Sequence, residues 1–121
     1  MRRRSAHDSG LLHGTDANAG SKWHRPVAVP SGKEGVFGSV RELLDDLAGW
    51  DVTSVDEETC TVHVSKANGF LGGTSRITIQ VHGPDGIPSS ETSVISESDG
   101  MLSRDKANVA TFVRKLFMRV T

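Results

Sequence analysis

The chain has 121 residues, of which 36% are hydrophobic and 24% charged, enough for one small domain and too few for two proper cores. The net charge of −1 divides unevenly: residues 1–35 carry six Lys/Arg against three Asp/Glu, and residues 36–121 carry eight against twelve. An acidic body excludes a nucleic-acid binder that works by displacing phosphate counterions, no stretch approaches the ~20 apolar residues of a stable membrane span, and a single cysteine excludes an internal disulfide.

Residues 1–35 show no hydrophobic periodicity, and their Gly, Ser, His, Asp and Arg residues cannot bury enough surface to offset the entropy of ordering them. The expectation is a flexible basic head over 1–35, ahead of a single domain over 36–121. Within the head, residues 23–30 are the piece able to lie on the domain as an extended segment, because Trp23, Val27 and Val29 are costly to leave in water. Arg2, Arg3 and Arg4 are not followed by an apolar run, so they do not open a secretory signal. With the lone thiol of Cys60, this fits a reducing, cytoplasmic setting.

The first periodic element starts at Ser39. Ser39 and Glu42 have the spacing of a capping box, and Val40, Leu43, Leu44 and Leu47 recur at helical intervals behind them. Gly49 can close that helix with a positive φ. Four strands follow: Trp50 to Val55, Thr59 to Ser65, Thr74 to His82 and about Glu91 to Ser98. Cys60, Val62 and Val64 alternate with Thr59, Thr61 and His63, as Ile77, Ile79 and Val81 do with Arg76, Thr78 and Gln80. A last helix runs from about Arg104 to Val120, capped by Ser103, with Val109, Phe112, Val113, Leu116, Phe117 and Val120 on one broad stripe. The fold class is therefore α+β, in the order α-β-β-β-β-α: a four-stranded antiparallel meander with two helices packed on one face.

Pairing the apolar sets of the second and third strands sets residue numbers that sum to about 139. Val62 then meets Ile77 and Cys60 meets Ile79. The same register gathers Thr59, Thr61, His63, Arg76, Thr78 and Gln80 on the other face, which stands open. Phe70 and Leu71, in the loop between those strands, either fold under the sheet or offer an apolar contact to a partner or a second copy.

Searching for chemistry yields no catalytic set. His63 and His82 fall about six residues apart along the strand, roughly 20 Å, too far to share a zinc ion. Cys60 points into the expected core, where its thiolate is disfavoured. No serine sits in a nucleophile motif, and Asp45–Asp46 and Glu57–Glu58 are solvated pairs. The glycine-rich loop around Gly69, Gly72 and Gly73 lacks the lysine of a phosphate cradle. No cofactor or metal is expected.

One resemblance rests on the end of the chain. Ser96, Glu97, Ser98, Asp99 and Gly100 lead to Asp105 and Asn108 at the head of a basic amphipathic helix carrying Arg114 and Lys115. With the helix-then-strands order over Ser39 to Leu116, this resembles domain of unknown function 1499, a family of small α+β domains without a settled activity. Glu97 stands where that family's pattern has an arginine. The resemblance implies the fold and transfers no catalytic residue.

Two functions are then in play, beside a third reading in which Arg2, Arg3 and Arg4 tether the chain to anionic surfaces. The first is a non-catalytic binding or protein-interaction module using His63, Arg76, Thr78, Phe70 and Leu71. The second is a small enzyme or polar-ligand carrier with a pocket between the C-terminal helix and the sheet, whose polar groups would be Asp105, Asn108 and Arg76.

Overall fold

The computed structural model describes residues 12–69, 73–98 and 104–121. Phe70, Leu71 and the expected cap Ser103 lie outside the described residues, as do Arg2, Arg3 and Arg4. In chain order the elements are β1 (Leu12–Gly14), a 3-10 turn (Lys22–His24), β2 (Val27–Val29), α1 (Lys33–Asp46), β3 (Trp50–Asp56), β4 (Thr61–Ala67), β5 (Thr74–His82), β6 (Ser90–Ser98) and α2 (Asp105–Val120).

The meander from β3 to β6 forms as the alternation predicts, with the strand order β1-β6-β5-β4-β3 and β2 also on β6. The sheet has six strands, which corrects the expected four. The extra two come from the segment expected to be a flexible head, and both pair antiparallel with the outer edge of β6: Leu12 faces Glu97 and Gly14 faces Ile95, while Val27 faces Thr92 and Val29 faces Ser90. Thr15 sits between them, its N–H donating to the Val94 carbonyl at 2.8 Å and its hydroxyl accepting the Val94 N–H at 3.1 Å. β1 and β2 thus make one broken edge strand, interrupted by an excursion that returns through the 3-10 turn. Strands of three residues have no period to read. They hold because β6 would otherwise leave its edge unpaired, and because Val27 and Val29 become buried.

Helix α1 starts at Lys33, ahead of the expected Ser39. Gly32 is its N-cap without a side-chain bond. Ser39 lies inside the helix and its hydroxyl donates to the Gly35 carbonyl at 3.3 Å, so the capping box does not form. The apolar stripe continues upstream through Val36 and Phe37, both buried, and this burial carries the helix past two glycines of low propensity. At its end Gly49 takes φ 85°, as its position requires.

The expected register of β4 and β5 is also corrected. Val62 faces Ile79 and Val64 faces Ile77, a slip of two residues from the expected pairing. A slip of two leaves every side chain on its expected face, whereas a slip of one would have inverted them. Thr59 and Cys60 are not in β4. The Asp56 carboxylate accepts the N–H groups of Glu58 at 3.0 Å and Thr59 at 3.3 Å, and this turn holds Cys60 at φ 51°. Its side chain is nonetheless buried.

Both helices pack on the same side of the sheet, α1 against β3, β5 and β6 and α2 against β1, β2 and β6, and they touch each other. Between helices and strands lie Val40, Val62, Ile79, Val94, Val109, Phe112 and Leu116, all without solvent exposure. Burying a side chain such as Phe112 or Leu116 contributes about 1.5–3 kcal/mol. Arg119 near the end of α2 pairs with Asp46 and Glu42 of α1 and fixes the crossing.

Candidate functional site

With the helices on one side, the sheet presents its other face to solvent in rows that the register defines. One row runs Asp51, Ser65, Arg76, Glu97 and Leu12 across β3, β4, β5, β6 and β1. The next runs Ser54, His63, Thr78, Ile95 and Gly14. A third holds Asp56, Thr61, Gln80 and Ser93. On β4, β5 and β6 the positions follow from period-two alternation: each is the neighbour, one residue along, of a buried valine, isoleucine or serine.

His63, Arg76 and Thr78 lie together on this face, as expected. Thr78 Oγ1 and His63 Nδ1 are 3.3 Å apart, and Thr53, at the bulge in β3, donates its hydroxyl to the His63 carbonyl at 3.1 Å. Gln80 donates to the Thr59 carbonyl at 3.4 Å, and His82 Nε2 lies 3.3 Å from Ser93 Oγ. Arg76 is exposed and sits between Ser65 and Glu97, with acidic neighbours on both flanks of its row. Ile95, 42% exposed, is an apolar centre that the sequence does not flag, because β6 is otherwise polar. Among the described residues no group of three His, Cys, Asp or Glu side chains is placed to hold a metal ion.

Asp105 and Asn108 lie on the opposite side of the sheet from Arg76 and are buried, so the structure does not bring the three together. Asp105 accepts hydroxyl hydrogen bonds from Ser75 at 2.9 Å and Ser96 at 2.7 Å on one oxygen, and from Ser98 at 2.9 Å on the other. Asn108 donates to Ser75 Oγ at 3.1 Å and to Asn68 Oδ1 at 3.2 Å, and Asn68 in turn donates to Ser75 at 2.7 Å. This box locks the head of α2 to β5 and β6. Its serines were legible only through parity, since Ser96 and Ser98 share the face of Val94. Lys66 borders it, its Nζ 3.4 Å from Asn68 Oδ1; burial, then the charge of Arg104, lowers its pKa.

No family model matches the chain, and no curated protein matches it in sequence. The fold has a solved counterpart. The crystal structure of Ara h 8.0201 aligns over 90% of this chain and 95% of its own, with a TM-score of 0.52 and 11% sequence identity. At that identity the likeness is one of fold alone. No helix among the described residues is long and apolar enough to cross a membrane.

Proposed function

We propose that the domain is a non-catalytic binding module that docks a protein partner on the open sheet face. The observation that supports this reading is the uncovered face itself. It offers an exposed isoleucine at its centre, hydrogen-bonding groups on His63, Thr78 and Gln80 around it, and the Arg76 guanidinium in the adjoining row. Such a mixture of one apolar anchor and a polar surround is the composition of a protein-docking patch.

The second reading, a carrier or enzyme using Asp105, Asn108 and Arg76 in a pocket between the C-terminal helix and the sheet, is less well supported. Val109, Phe112, Val113 and Leu116 fill that interface, and Asp105 and Asn108 are engaged with serines and Asn68.

A photoreactive benzoylphenylalanine placed at Thr78 tests the reading in cells of the natural host, beside a control at Lys115 on the exposed side of α2. A discrete adduct from Thr78 that disappears on adding Ile95→Arg, and is missing from Lys115, supports it. Adducts from Lys115 alone, or adducts indifferent to Ile95→Arg, would reject it.

A further inference from the structure

The excursion between β1 and β2 does more than reconnect two short strands. It folds against the head of α2 and encloses a half-open pocket of about 720 Å³. Three basic groups from three elements meet there: His13 of β1, His24 of the 3-10 turn and Lys106 of α2. The two imidazole rings are edge to face, 5.1 Å between centroids. His24 Nε2 lies 3.1 Å from the Lys106 carbonyl, and since a carbonyl only accepts, Nε2 carries the hydrogen. His13 Nε2 is buried and has no hydrogen-bond partner. Leu12, Ala19 and Ile95 supply an apolar wall beside these groups.

We propose that this pocket binds a small organic anion, a carboxylate with an apolar body, gripped by His13, His24 and Lys106. Basic groups held this close disfavour one another's charge, and an acceptor between them removes that cost. The nearby carboxylates are already engaged: Asp16 accepts the Asn18 N–H at 2.9 Å, and Asp105 accepts its serines on the core side. The site lies at the β1 edge beside the sheet-face patch and shares Ile95 with it, but its basic groups are not those of the patch.

Binding is coupled to proton uptake. Burial, then His24, then Lys106 hold the His13 pKa below the usual histidine value, with Asp105 opposing. The groups facing His13 are His24 from the 3-10 turn, Lys106 and Asp105 from α2 and Asp16 from the loop; Glu97 of β6 lies on the far face opposite Leu12. A bound carboxylate raises the His13 pKa, so the affinity increases as pH falls through the imidazole range.

Titrating the full chain with benzoate, read by carbon–proton correlation spectra of the imidazole rings, tests this. The expected result is a saturable shift of the His13 and His24 signals, with His63 and His82 still. Binding should be tighter at about pH 5.5 than at about pH 8. Lys106→Glu, at an exposed position that leaves folding intact, should weaken it roughly tenfold or more, the value of one charge-assisted hydrogen bond. His13→Gln should reduce the pH dependence to the part that His24 carries. Benzyl alcohol binding as tightly as benzoate, equal shifts at all four histidines, or affinity unchanged by Lys106→Glu would overturn the proposal.

Discussion

A carboxylate buried at the head of a helix persists only where hydrogen-bond donors replace the water it loses. Asp105 meets that condition through three serine hydroxyls from two strands. Removing it leaves those hydroxyls without their acceptor in a closed site. Asp105→Ala should therefore lower stability by about 3 kcal/mol or more, measured by urea denaturation. Thr92 presents the opposite case on β6, the strand of Ser96 and Ser98. It is fully buried and its hydroxyl has no partner, so Thr92→Val should raise stability by roughly 1 kcal/mol. If Asp105→Ala proves neutral, the serine box is not what fastens α2 to the sheet.

Among the elements, α1 separates two accounts of one serine. As an N-cap, Ser39 would lose about 1 kcal/mol on replacement by alanine. Inside the helix, with its hydroxyl turned to the Gly35 carbonyl, Ser39→Ala should instead gain a few tenths of a kcal/mol, because alanine is the better helix former. Thermal or urea unfolding decides the sign. The same helix shows why sequence patterns mislead at boundaries. Ser39 and Glu42 carry a true capping-box spacing, but Val36 and Phe37 extend the buried stripe behind it, and packing outweighs a local cap. The meander was readable because Val62, Val64, Ile77 and Ile79 alternate cleanly. β1 was not, since it has no apolar alternation of its own and rests on the edge of β6, whereas β2 was read only as an extended piece through Val27 and Val29, its pairing with β6 unseen. Of the candidate residues, His63, Arg76 and Thr78 followed from parity alone. Asp105 and Asn108 were placed between the C-terminal helix and the sheet, but as the lining of a pocket with Arg76; their closed bonding to Ser75, Ser96 and Asn68 was not legible, because the partners lie on other elements.

At the scale of the whole molecule, the decisive feature is asymmetry. Two helices cover one side of a sheet, and among the described residues no element covers the other. Residues adjacent in sequence are thereby sent to opposite environments: Val94 has no exposure and Ile95 is 42% exposed. The binding-module reading depends on that contrast, since a docking face must be free before a partner arrives. Maleimide labelling of Ile95→Cys and Val94→Cys in the folded protein, against the slow background of buried Cys60, measures it directly. The account predicts that the thiol at position 95 reacts at nearly the rate of an unfolded chain, and the thiol at position 94 at least roughly a hundredfold more slowly, only through opening of the fold. Equal protection of both thiols would mean that the face is covered, and would contradict the account.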